Sequence, residues 1–264
     1  MVWSRLASKL RGRRPPGPDP DAPVRRVPDD RIVYAIGDIH GRADLLSKLL
    51  DKIMTHAAMQ TVTDRVVVCL GDYVDRGSDS RGVIDVLLDR HLPATTLVCL
   101  RGNHEQLMLG FLADPAAIGP MWLRNGGLET LASYGVGFDP TAPRLAALET
   151  AGVRLAHQVP MRHKAFLNDL KLTHQEGDYL FVHAGLAPNV PLEEQKESDL
   201  LWMRDPFLEE PADYGCMVVH GHTITAEPEW RAWRIGIDTG AFSSGRLTAL
   251  ALIGERQEVI QAVG

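Results

Sequence analysis

The chain has 264 residues, 45% of them apolar and 23% charged, an ordinary balance for a globular protein long enough to bury its core without disulfides or a structural metal. A formal charge of −6 argues against a broadly basic nucleic-acid binder, so none is expected as a partner. No apolar run approaches the roughly 18 residues of a membrane span.

The first thirty residues differ in composition from the rest. MVWSRLASKLRGRR is basic, lacks the apolar stretch of a secretory signal, and runs into PPGPDPDAP, which neither continues a helix nor joins a sheet interior. Residues 1–30 therefore read as a disordered basic, Pro-rich tail. Trp3, Leu6 and Leu10 sit at helical spacing, and an amphipathic contact with an anionic membrane is the weaker alternative.

From Arg31 short apolar runs alternate with helical patterns, the mark of an α/β domain over 31–264. RIVYAI (31–36), RVVVCL (65–70) and TLVCL (96–100) are predicted strands. Between them Leu45, Leu46, Leu49, Leu50 and Ile53 share one helix face, and Val83, Ile84, Leu87 and Leu88 share another. A third helix starts near Glu105. Residues 106–170 hold no convincing strand; breaks at Asp114-Pro115, Gly119-Pro120, Gly126-Gly127 and Asp139-Pro140 divide them into helices, read as an inserted cap. Strand patterns return at 171–174, 178–183, 216–220, 233–237, 246–252 and 258–262. Two packed mixed β-sheets flanked by helices are expected. Cys69, Cys99 and Cys216 lie inside apolar runs without metal-like spacing and read as buried strand thiols in a reducing cytoplasm.

The informative pattern lies immediately after each apolar run. The successive runs end in Gly37-Asp38-Ile39-His40-Gly41, in Gly71-Asp72-Tyr73-Val74-Asp75-Arg76-Gly77 and in Arg101-Gly102-Asn103-His104-Glu105. Two later runs end in His183-Ala184-Gly185 and His220-Gly221-His222-Thr223. Strand ends are where α/β sheets gather functional side chains. One Gly-Asp after a strand is a turn, but Asp, His and Asn at five strand ends exceed what turns require. These oxygen and nitrogen donors, without thiolate, suit Mn, Fe or Zn, and they are too many for one tetrahedral ion. A carboxylate-bridged pair of divalent ions is the economical reading. Arg76 and Arg101 beside them match phosphate geometry, which points to phosphoryl transfer to water.

GDIHG, GDYVDRG and RGNHE, with HAGL at 183–186 and HGHT at 220–223, resemble the signature blocks of the phosphoprotein phosphatase (PPP-type) branch of the calcineurin-like metallophosphoesterases. IDTGA (237–241), LLWMR (200–204) and WLRNGGLETLASYG (122–135) resemble its bacterial and phage members. The resemblance implies that Asp38 and His40 hold one metal, that Asp72 bridges, and that Asn103, His183 and His222 hold the second. It implies His104 as the general acid oriented by Asp75, with Asp75 favouring the imidazolium, and Arg76 as the phosphate clamp. Arg204 resembles a second phosphate arginine; Arg101 either joins it or braces its own loop. His220 reads as structural. The implied enzyme is a cytoplasmic, two-metal serine/threonine protein phosphatase acting on phosphoproteins or phosphorylated small molecules. Symmetrical diadenosine tetraphosphatase or phosphodiesterase chemistry is the alternative, and a non-catalytic binding module the least favoured. His56, His91, His157, His163 and His174 read as solvated or capping, and Trp122, Trp202, Trp230 and Trp233 as packing, with a place for Trp122 and Tyr134 at the substrate entrance as the weaker alternative.

Overall fold

A computed structural model describes residues 24–264 of the chain. The predicted strands form two five-stranded sheets. The first contains β1 (Arg31–Ile36), β2 (Asp64–Cys69), β3 (Thr95–Cys99), β9 (Arg246–Ile253) and β10 (Arg256–Val263), in the order β10-β9-β1-β2-β3. The second contains β4 (Thr173–Glu176), β5 (Tyr179–Val182), β6 (Met217–His220), β7 (Glu229–Trp230) and β8 (Arg234–Gly236), in the order β4-β5-β6-β8-β7. Each contains three adjacent parallel strands: β1-β2-β3 run to one edge of the first sheet, with the antiparallel pair β9 and β10 on their other side, and β5-β6-β8 form the centre of the second, between antiparallel β4 and β7. Parallel strands end on the same side, which is how distant loops reach one place.

The period of two along each strand builds the layers. In β1, Val33 and Ala35 face the second sheet, where they meet Phe181, Val219 and Ile235 in a buried core between the sheets. Ile32, Tyr34 and Ile36 face the other way, onto α1 (Ala43–Ala58) and α2 (Ser80–Asp89). Leu45, Leu46, Leu49, Leu50 and Ile53 of α1 and Val83, Ile84 and Leu87 of α2 are buried there, while Leu88 stays exposed. Asp79 caps α2 by accepting the Gly82 N–H.

No strand interrupts 106–170. Helices α3 (Asn103–Ala113), α4 (Pro115–Arg124), α5 (Gly127–Ser133), α6 (Arg144–Gln158) and α7 (Met161–Asp169) fill it. Asp114 caps α4, with Pro115 at its first position. The expected break at Gly119-Pro120 does not occur: Pro120 lies inside α4. An interior proline costs about 3 kcal/mol, and tertiary packing offsets it. Gly119 sits so close to Leu148 of α6 and to Phe111 that a side chain there would collide with both, and Trp122 one turn on is completely buried. The strand β7 escaped sequence reading because a two-residue ladder leaves no periodic signal. A 3-10 turn (Leu192–Glu194), a short helix, α8 (Glu197–Trp202), and the one-turn α9 (Ala241–Ser244) complete the described elements.

Residues 1–23, most of the expected tail, lie outside the described residues. The segment just after them is packed onto the domain. Val27 is buried between the sheets and gives its N–H to Gly254 O at 3.1 Å, and the Arg26 N–H reaches Asp178 at 2.9 Å.

The loops after β1 and β2 touch at two glycines. A Cβ on Gly77 would strike the His40 carbonyl and the backbone of Gly41, and Gly41 itself has φ +61°. Gly77→Ala is therefore expected to cost about 1–3 kcal/mol in urea unfolding through overpacking. Gly137→Ala, where a Cβ meets nothing within 4 Å, should stay within about 0.5 kcal/mol of the parent. Equal losses at both positions would show that the contact is not under constraint.

Candidate metal centre

The parallel strands deliver their loops to one buried point. Asp38, His40, Asp72, Asp75, Asn103, His104, His183 and His222 are all nearly or fully buried there. His40, Asp72, Asp75, Arg76 and His222 have left-handed backbones, with φ of 44°, 50°, 71°, 65° and 61°. Such conformations cost about 1–3 kcal/mol each and persist only where surrounding structure holds them. Part of that hold comes from Glu105, whose carboxylate accepts the N–H groups of Gly102, Asp72, Tyr73 and Val74 at 2.7–3.2 Å. It ties the loop after β2 to the loop after β3. Burial nonetheless pushes the Glu105 carboxyl up to about 8.

Two triads of donors share Asp72. His40, Asp72 and His104 form one, and Asp72, His183 and His222 the other, with the donor atoms of each within 4.8 Å of one another. Their protonation pattern suits cations. His40 Nδ1 donates to Val74 O at 2.8 Å and His183 Nδ1 to Leu70 O at 3.0 Å, so both rings turn Nε2 inward as a lone pair. His183 Nε2 then faces another acceptor, Asn103 Oδ1, at 2.9 Å. Burial lowers the proton affinity of His183, so a cation satisfies both atoms better than a proton does. His222 Nε2 is buried without a hydrogen-bond partner, and burial drives its imidazole down too. Nitrogen and oxygen donors without sulfur fit divalent ions of hard or borderline character.

Asp38 belongs to neither triad: both of its oxygens accept the His222 N–H, at 3.1 and 3.0 Å. Burial, then the charges of Asp238 and Asp72, push it well above the usual carboxylate range. Asp238, absent from the sequence-based set, is 1% exposed at the end of the β8 run, where Oδ1 accepts the Gly240 N–H at 2.8 Å and Oδ2 is buried without a partner. The signal was available, since Ile235-Gly236-Ile237-Asp238 is another apolar run ending in a carboxylate.

His104 Nδ1 meets Asp75 Oδ2 at 2.7 Å, and its Nε2 is buried without a partner, 3.8 Å from Asp72. Burial works against the imidazolium that Asp75 is expected to favour. Desolvation is the larger effect: it lowers His104 against the pull of Asp72, and it raises Asp75. Whichever of the two holds the shared proton, a net-neutral dyad leaves another on Nε2.

The arginines take three different places. Half-buried Arg76 lies over the Phe242 ring at 5.1 Å and gives Nη1 to His40 Nε2 at 3.1 Å. That lone pair serves either the guanidinium or a cation, not both. Exposed Arg204 stands at the rim on Thr223 Oγ1 (3.1 Å) and His222 O (3.4 Å). Arg101 turns away to Asn168 O at 3.3 Å and Glu197 at 3.5 Å, bracing its loop. His220 packs as a structural residue against Arg234, at 3.2 Å.

Two other expectations are overturned. Trp122 and Tyr134 are 0% and 1% exposed, so Trp122 packs, as its first reading has it, and neither lines an entrance. Trp122 instead donates its indole N–H to both oxygens of Asp75, at 3.1 and 3.0 Å. His163 is neither solvated nor a cap: it is fully buried between the Tyr134 hydroxyl and Asp85. Single aromatic or histidine positions on helices carry no signal of which face turns inward.

Comparison with known proteins agrees with this geometry. Residues 32–236 match the family described as calcineurin-like phosphoesterase. Serine/threonine-protein phosphatase 2 of Escherichia coli (strain K12) is 28% identical over 229 residues, covering 83% of this chain and 91% of that protein. The asymmetrical bis(5'-nucleosyl)-tetraphosphatase PrpE of Anoxybacillus flavithermus is 28% identical over 238 residues, covering 83% of this chain and 89% of its own. Among solved structures, a putative diadenosine tetraphosphatase superposes with a TM-score of 0.59 at 22% identity, over 88% of this chain and 93% of that one, which speaks for the fold. Most of the domain, from β1 to β8, thus lies within the matched span, and the chain belongs to the calcineurin-like phosphoesterase family, in its PPP-type branch, as a metal-dependent phosphoric ester hydrolase.

Proposed function

We propose that the chain is a serine/threonine protein phosphatase that hydrolyses phosphomonoesters in one step, without a phosphoenzyme. The observation that carries the substrate class is the burial of Trp122 and Tyr134. A dinucleotide substrate calls for an aromatic face on which a base can stack, and these two candidates are spent inside the protein. Of the aromatics beside the centre, Trp202 is held by Gln106 at 2.8 Å and Phe242 lies beneath Arg76. Dinucleoside tetraphosphate hydrolysis is the second reading, favoured by relatives of that name at 28% and 29% identity.

In this reading Asp38, His40 and Asp72 would hold one ion, and Asp72, Asn103, His183 and His222 the other. Mn is the working metal, with Fe or Zn allowed by the same donors. A pair of dications there supplies Lewis acidity, acidifying a water and neutralising charge on the phosphoryl oxygens. Arg76 and Arg204 hold the phosphate from the open side. The water oxygen bonds to phosphorus as the ester P–O bond breaks toward the leaving oxygen. That oxygen takes the Nε2 proton of His104, and Asp75 holds the ring in place. The proton the water sheds passes to solvent, from which His104 is reprotonated. The free thiols of Cys69, Cys99 and Cys216 support a reducing, cytoplasmic setting, and no described helix is long and apolar enough to cross a membrane.

Asp72→Asn is expected to lose bound metal and turnover together. His104→Asn should keep two metals by elemental analysis while kcat falls about 10²–10⁴-fold. Metal loss in both variants would make His104 a ligand and overturn its role as proton donor. For the substrate, kcat/KM with Mn should favour phosphoserine and phosphothreonine peptides over diadenosine tetraphosphate and bis-p-nitrophenyl phosphate. The reverse order would establish the second reading or diester hydrolysis.

A further inference from the structure

Asp75 is held from the side opposite the metal centre, by residues outside the signature blocks. Its Oδ2 takes the His104 ring at 2.7 Å, and its Oδ1 takes the Thr130 hydroxyl at 2.7 Å. The Trp122 indole N–H lies between, 3.1 Å from one oxygen and 3.0 Å from the other. The Asp75 N–H is satisfied by Ser80 Oγ at 3.0 Å and Thr130 Oγ1 at 2.8 Å, and those two hydroxyls meet at 2.9 Å. Asp75, His104, Trp122, Thr130 and Ser80 are each completely buried.

Trp122 is itself fixed. Its ring packs on Phe111 with centroids 4.5 Å apart. Gly127 comes so close to the indole that a Cβ there would lie 2.5 Å from its ring carbons. The preceding Gly126, at φ +100°, takes the Arg76 N–H on its carbonyl at 3.2 Å. The stretch from Trp122 to Thr130 therefore reaches from α4 and α5 to the residue behind the proton donor and to the backbone of the phosphate arginine.

We propose that Trp122 and Thr130 are positioning residues for proton transfer. By fixing both oxygens of Asp75 they set the orientation of the His104 ring, and so the direction in which Nε2 presents its proton to the leaving oxygen. The inference rests on His104 being the general acid. Its signature is selective, because an ester whose leaving group needs no proton gains nothing from a well-aimed acid.

The test compares phenyl phosphate, a poor leaving group, with 2,4-dinitrophenyl phosphate, a good one, on the full-length Mn-loaded protein. Trp122→Phe keeps a ring and removes only the N–H and the benzo edge. It is expected to lower kcat for phenyl phosphate about 10- to 100-fold, but for the dinitrophenyl ester less than about 3-fold, with KM and metal content unchanged. Thr130→Val, which replaces the hydroxyl by a methyl group, should show the same selectivity, and Thr130→Ser should restore most of the phenyl phosphate rate. These threonine variants also cover the case in which Trp122→Phe does not fold. Equal losses on both esters, in either variant, would reduce the two residues to packing and overturn the proposal. His104→Asn run in parallel separates the two levels. If it is selective and the Trp122 and Thr130 variants are not, the positioning role fails alone. If it is not selective, the acid assignment fails and the positioning role with it.

Discussion

The chain buries five acidic groups, Asp38, Asp72, Asp75, Glu105 and Asp238, around one point. Near them it places four neutral-prone imidazoles and a single half-buried guanidinium, that of Arg76. Left to themselves, such carboxylates repel each other and protonate. The arrangement makes physical sense only when positive charge is supplied from outside the chain. Every other part of the structure is read most simply as a means of holding these groups in place against that repulsion.

The holding is done mainly by main chain. Glu105 gathers four N–H groups from two loops, and a hydrogen bond to a charged acceptor is worth about 1.5–3 kcal/mol. Gly41 and Gly77 bring the first two loops into van der Waals contact. The left-handed turns at His40, Asp72, Asp75, Arg76 and His222 aim side chains that an extended strand end would throw to either face. Rigid parallel strands beneath allow these strained turns to persist. The helical stretch contributes differently, by polar side chains that enter from behind.

Much of this was legible in the sequence. Strands announce themselves by apolar runs, and Gly-Asp, Gly-Asn and His immediately after them announce the site. The same rule, applied once more, identifies Asp238. What the sequence does not carry is orientation. Nothing in WLRNGGLETL says that Trp122 turns its N–H onto a carboxylate forty-seven positions earlier. Pro120 likewise looks like an interruption until the packing of Gly119 is known. Arg101 has the right chemistry for phosphate and sits next to Gly102-Asn103, yet Glu197 and Asn168 O are closer partners for it. These are decisions of tertiary contact, and local pattern is silent on them.

The convergence of strand ends also has a kinetic side. The residues that meet at the centre run from Asp38 to Asp238, and the triads draw on both sheets. Contacts that distant in sequence close late, after the loop entropy of most of the chain has been overcome. No fragment ending before β6 contains His222, so a nascent or partly folded chain leaves the second triad incomplete. A dication held by the finished array discriminates between native and unfolded chain, and by mass action it draws the population toward the native state. The turn after β6, which carries His222, thus decides when the second triad can compete for a cation in its surroundings.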